Sequence, residues 1–192
     1  MHISLIAAFT LSVGILASAA ANPAVAQDAA LQRLAEPRTH AILRHAIAPG
    51  GGDPAGFTLG DCATQRNLDD RGRDQARAIG AAFRATGIVI DHVLTSQWCR
   101  SAETARLLDL GPVEEEAALN SFFADRSTRE AETAATHALL AALPADETAV
   151  MVSHQVNITA LTGVYPRSGE VVVLRVAEDG SLAVLGRFLV GD

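Results

Sequence analysis

Apolar positions along the chain alternate between two patterns. Short unbroken apolar runs, the form taken by strands buried on both faces of a sheet, occur at Thr39–Arg44, Ile88–Ser96 and Thr148–Ser153. Between them the apolar residues recur three and four positions apart, the period of an amphipathic helix. Leu68–Thr86 is such a helix, with Ala76, Ile79, Gly80 and Phe83 as its stripe, Asp69 and Asp70 at its start and Gly87 at its end. Trp98–Leu108 and Arg129–Leu143 follow; Ser127 and Thr128 could cap the latter, whose first turn holds Glu130 and Glu132. A short helix after His154 runs through Thr162, and Val171–Val176 with Leu182–Leu189 form a hairpin around Glu178-Asp179-Gly180. Asp28–Arg38 reads as a mixed lead-in, while Ala46–Asn67 and Glu114–Thr128 read as irregular. Strands alternating with helices predict an α/β three-layer sandwich: a mixed, mostly parallel central sheet with helices on both faces.

The first stretch stands outside this pattern. Ile3–Ala20 is almost wholly apolar or small, no charged side chain precedes Asp28, and Ala24-Val25-Ala26 supplies small residues at both key positions of a cleavage site. Residues 1–26 therefore read as a secretory signal peptide, although the usual basic start is reduced to His2. An uncleaved anchor is the competing reading, since the run is nearly long enough to span a bilayer. Cleavage would leave one domain, residues 27–192, in a secreted and periplasmic setting without stable membrane insertion.

Charge narrows the partners. The 15 basic residues are all arginine against 22 acidic ones, for a net charge of −7. Lysine is absent, which excludes a Schiff-base lysine and a Walker-type phosphate loop. An acidic chain is also a poor match for nucleic acid. Any anion site must be a local cluster of arginines. Cys62 and Cys99 are a disulfide candidate in an exported chain, the alternative being two unpaired small hydrophobes.

The chemistry gathers at strand ends. His45 and His154 each follow an apolar run, with Arg44 beside the first, and Arg100 comes soon after the run His92–Ser96. Open α/β sheets build their sites at the carboxyl edge, so two imidazoles and two guanidiniums can converge on one small anion. Arg66 and Asn67, late in the long loop, could reach a phosphate or substrate hydroxyl, or could cap the next helix. His92 and His137 fit structural roles, and no carboxylate or cysteine stands at a metal-ligand spacing, so no metal or cofactor is implied.

Four ordered segments resemble the histidine phosphatase superfamily, with its phosphoglycerate mutase-like fold. They are Leu43-Arg44-His45, the stretch Leu68–Ala76, the S-x-x-x-R-x-x-x-T-A segment Ser96–Ala105, and Val152-Ser153-His154. The resemblance implies a phosphomonoesterase working through a phosphohistidine on His45. Arg44 and Arg100 would hold the phosphoryl oxygens and His154 would donate to another. A small phosphorylated substrate or a phosphorylated envelope sugar is the expected partner. A phosphomutase and a non-catalytic phosphate-binding protein are the alternatives. Ala46 replaces the glycine that usually follows Arg-His, and Gln155 replaces the aspartate of the acid phosphatase branch. Ser121 stands where many members carry a glutamate acid, which leaves Asp53 and Asp125 as candidate proton donors.

Overall fold

The computed structural model describes residues 23–190. Its six strands are β1 (Thr39–Arg44), β2 (His92–Thr95), β3 (Val113–Glu115), β4 (Ala149–Ser153), β5 (Val171–Val176) and β6 (Leu182–Phe188), in the spatial order β3-β2-β4-β1-β5-β6. The pairs β3–β2, β2–β4 and β4–β1 are parallel, while β5 and β6 run antiparallel to complete the sheet. This is the mixed, mostly parallel sheet expected from the alternation.

Helices cover both faces, and the sheet residues divide between them with period two. Ala41, Leu43, Val150, Val152, Val171 and Val173 pack under α1 (Pro23–Gln32), α2 (Asp70–Ala85) and α3 (Cys99–Leu108), meeting Leu31, Ile79, Phe83 and Leu108. Ile42, Met151, Val172 and Leu174 face the other way, toward α4 (Arg129–Ala142) and α5 (Gln155–Thr162), meeting Leu140 and Ile158. Burial on both faces is why the strands read as unbroken apolar runs.

Two elements differ from the sequence reading. The lead-in at Asp28–Arg38 belongs to α1 and a following 3-10 turn; Ala30 and Leu31 are buried, and Ala30 packs close to Gly186 of β6. The stretch read as irregular from Glu114 onward begins inside β3, an edge strand too short and too acidic to register as apolar. The expected signal peptide lies mostly outside the described residues, and the cleavage point after Ala26 falls within α1.

α2 also fixes the segment after β1. Its N-cap is Asp69, whose side chain accepts from the Gly72 amide at 2.8 Å. Gly72 lies so close to the chain after His45 that a Cβ would come within 2.0 Å of the Ile47 carbonyl oxygen. Only glycine permits that approach.

Candidate active site

Register sets the centre of the site. Arg44 pairs with Ser153 across the parallel β1–β4 ladder, and the His45 amide donates to the Ser153 carbonyl at 3.0 Å. The next residue of each strand is a histidine, so both leave the sheet side by side. Their ring centroids are 5.5 Å apart in an edge-on arrangement, and both rings are buried.

Hydrogen bonds assign the tautomers. His45 Nδ1 lies 2.8 Å from the Ala46 carbonyl oxygen, which can only accept, so Nδ1 carries the proton and Nε2 keeps its lone pair. His154 Nε2 lies 2.7 Å from the Ser96 hydroxyl, and that hydroxyl accepts weakly from the Trp98 amide at 3.4 Å. With Ser96 as donor to Nε2, the His154 proton would sit on Nδ1. Burial, followed by the charge of Arg100, holds the His45 pKa well below the usual histidine value. Burial and then the neighbouring His45 do the same to His154. Both imidazoles are neutral at physiological pH.

Arginines surround them. Arg44, Arg66 and Arg100 line one cleft together with His45 and His154. Arg44 Nη1 donates to the Pro166 carbonyl at 3.3 Å. Arg66 is spread over the long loop, donating through Nε to the Gly52 carbonyl at 2.9 Å and through Nη1 to the Ala48 carbonyl. Burial and the repulsion of Arg100 lower the Arg66 pKa to about 10, so it stays charged. The Nε groups of Arg44 and Arg100 are buried with no protein partner. Three guanidiniums against one lining carboxylate, Asp53, leave the cleft with two net positive charges.

The S-x-x-x-R-x-x-x-T-A segment has a physical account. Ser96 orients His154, Arg100 enters the cleft, and the Thr104 hydroxyl joins Arg100 to the chain after His45. It donates to the Arg100 carbonyl at 2.7 Å and accepts from the Ala46 amide at 3.1 Å. Gln75 of α2 adds a second tie, accepting from the Ile47 amide at 3.1 Å and donating to the Ser168 carbonyl at 3.0 Å. Ala46 has no positive φ, so the alanine fits there unstrained.

The structure gives three of the candidate residues other partners. Asp53 is a counter-ion of Arg100. Its carboxylate makes a two-pronged contact with Arg100, at 2.7 and 3.1 Å, and accepts from the Trp98 indole at 3.0 Å and the Arg66 amide at 3.1 Å. Burial alone would raise its pKa, but Arg100 and the other donors outweigh it and hold the carboxyl below the usual range. Asp125 is exposed, caps the 3-10 turn Arg126–Thr128 through Ser127, and lines no part of the cleft. Asn67 donates to the Cys62 and Gln65 carbonyls and also lies outside the cleft lining; it shapes its own loop.

The loops close the cleft. Cys62 and Cys99 are joined by a disulfide, and the Cys99 amide donates to Gln65 at 3.0 Å, so the long loop is fastened to the start of α3 beside Arg100. On the opposite wall, Asn157 donates to the Asn120 carbonyl at 2.6 Å and Ser153 to the Leu119 carbonyl at 2.8 Å. These bonds place Ser121 and Phe123 at the rim, and Tyr165 reaches it from the segment after α5. The aromatic pair was not predicted; two exposed aromatics in irregular segments carry no periodic signal.

An open, mostly parallel α/β sheet with helices on both faces, holding two neutral imidazoles and three guanidiniums at its carboxyl edge, is the phosphoglycerate mutase-like fold. Residues 61–137 match the profile of the histidine phosphatase superfamily (branch 1), a segment that includes Arg66 and Arg100 and is flanked by the two histidines. Among solved structures the chain is similar to the protein histidine phosphatase SixA complexed with tungstate, at 18% identity and a TM-score of 0.59, over 79% of this chain and 96% of that one. A Nakamurella multipartitia protein described as a SixA-type phosphohistidine phosphatase aligns at 20% identity and a TM-score of 0.60, over 81% and 100%. A phosphoserine phosphatase variant from Entamoeba histolytica, in complex with phosphoserine, aligns at 14% and 0.55, over 78% and 95%. No protein of curated function matches the sequence.

Proposed function

We propose that the chain is a phosphomonoesterase that works through a phosphohistidine on His45. The observation that carries this is the tautomer of His45: with Nδ1–H committed to the Ala46 carbonyl, Nε2 is an unprotonated nucleophile among three arginines. Nε2 would attack phosphorus and form a P–N bond as the P–O bond to the leaving group breaks. Water would then attack the phosphoenzyme and return the electron pair to Nε2. Arg44, Arg66 and Arg100 supply positioning and charge stabilisation, the main demands of phosphoryl transfer, without calling on a metal. His154 Nδ1–H would donate to a phosphoryl oxygen. Two net positive charges suit the dianion of a phosphomonoester.

Export to the periplasm belongs to the same reading. It is supported by the apolar N-terminal run and by the disulfide, a bond favoured in oxidising compartments. A small phosphorylated molecule or envelope sugar would be the substrate there.

The test is turnover of p-nitrophenyl phosphate with rapid-quench trapping of an acid-labile phosphoenzyme. Both signals should vanish in His45→Ala. One observation favours a second reading, a phosphate-binding protein: Asp53 already occupies the fork of Arg100. Saturable phosphate binding lost in Arg100→Ala, with no turnover in the parent, would establish that reading instead.

A further inference from the structure

We propose that the substrate is the phosphate monoester of a phenol, its ring seated in a groove between Phe123 and the loop Pro54–Phe57. This rests on the phosphatase reading and specifies its leaving group. Two independent observations carry it.

The first is chemical. Among the described residues lining the phosphate cleft and the groove beside it, Asp53 is the sole carboxylate, and its two oxygens are committed to Arg100, Trp98 and the Arg66 amide. Ser121 stands at the rim with a hydroxyl in place of an acid. Proton donation to a leaving oxygen is worth typically about 10²–10⁴ in rate, and an aliphatic alkoxide departs slowly without it. A phenol, with a pKa of about 10, leaves as the phenolate and needs no donor in the transition state. When Nε2 of His45 forms its bond to phosphorus, the electron pair of the breaking P–O bond stays on the phenolic oxygen, which later takes its proton from water. Tyr165 lines the phosphate cleft but not the groove.

The second is geometric. The groove continues from the phosphate cleft through Gly52, Asp53, Ser121 and Phe123, which line both. Its own walls are Pro54, Phe57, Trp98 and Ala124. Phe57 and Trp98 are 5.8 Å apart between ring centroids, and Phe123, 51% exposed, lines the same groove. Three aromatics in one groove that shares four lining residues with the phosphate cleft offer edge and face contacts to a flat ring carried by the leaving group.

The experiment measures kcat/KM for phenyl phosphates of graded leaving-group pKa, for alkyl phosphates and for acetyl phosphate, in the parent and in Phe123→Ala. Acetyl phosphate is a small, non-aromatic control with a good leaving group. Alkyl phosphates should fall at least about 10²-fold below phenyl phosphate, the deficit expected without an acid. Phe123→Ala should lower the ratio of the phenyl phosphate to the acetyl phosphate value about tenfold, the worth of one apolar contact in a specificity pocket. Alkyl phosphates that match phenyl phosphate, or a Phe123→Ala loss equal for both substrates, overturn the inference while the phosphoenzyme on His45 stands. Failure to turn over any of these compounds removes the phosphatase reading, and this inference with it.

Discussion

The rings of His45 and His154 meet edge-on with centroids 5.5 Å apart, one open to act through Nε2 and the other held through its own Nε2 by Ser96. One phosphoryl group can therefore touch both. The separation follows from sheet register, because each histidine is the residue after a paired position of adjacent parallel strands. Their chemical difference follows from the short hydrogen bond each makes, His45 with the Ala46 carbonyl and His154 with the Ser96 hydroxyl.

Ser96→Ala should uncouple the pair without moving it. The loss leaves the buried Nε2 of His154 with only the longer 3.5 Å contact to the Ser101 hydroxyl, costing up to about 1–3 kcal/mol. His154 is then free to place its proton on Nε2, facing away from the phosphate. Turnover should drop by about tenfold or more while the fold persists, and Ser96→Thr should recover most of it. Steady-state kinetics beside a thermal melt separates the two effects.

Asp53→Asn should destabilise the protein in a way phosphate repairs. Arg100 is 3% exposed, and breaking a buried ion pair of this kind costs up to about 3–5 kcal/mol. An asparagine keeps the shape but removes the charge, so the melting temperature should fall in phosphate-free buffer. Added phosphate or vanadate should then raise it more than in the parent, since the anion replaces the missing carboxylate. Differential scanning fluorimetry across a phosphate titration reads this directly.

Reduction of the disulfide should reach the candidate site. It closes a segment of sequence separation 37 and fastens Gln65 and Arg66 next to Arg100. A loop of this size is expected to contribute about 3–4 kcal/mol. The paired variant Cys62→Ser, Cys99→Ser should show that loss in urea unfolding. Its KM should also rise at temperatures where the fold is intact, because the loop carrying Asp53 and Arg66 loosens first.

Stability should fall as pH drops from about 6.5 to about 4. His40 is buried on β1, accepting from the Ala149 amide at 3.3 Å; burial, then the neighbouring His92, pushes its pKa down to about 4. The unfolded chain binds a proton near pH 6.5 that the folded chain refuses, so acid favours unfolding throughout that window and the effect ends below the folded pKa. His45 and His154, also depressed, act with the same sign. His40→Asn should flatten the slope by at most about 1.4 kcal/mol per pH unit, one proton's worth, in urea midpoints measured from pH 4 to 7.

Much of this protein was legible in the chain itself. Apolar runs and helical stripes defined the α/β alternation, because strands buried on both faces and helices buried on one must pattern their residues that way. The same runs, ending at Arg44-His45 and at Ser153-His154, marked the sheet edge where the two histidines and the arginines line one cleft. Tertiary structure decided what sequence spacing does not encode. Whether Asp53 is an acid or a counter-ion depends on Arg100, 47 residues away, meeting it at 2.7 Å. Which nitrogen of each histidine is available depends on the Ala46 carbonyl, a neighbour in sequence, and on the Ser96 hydroxyl, a neighbour only across the sheet. The aromatic rim of Phe123 and Tyr165 lies in irregular segments fixed by hydrogen bonds to the ends of distant strands and helices, where no period marks a residue as belonging to the site.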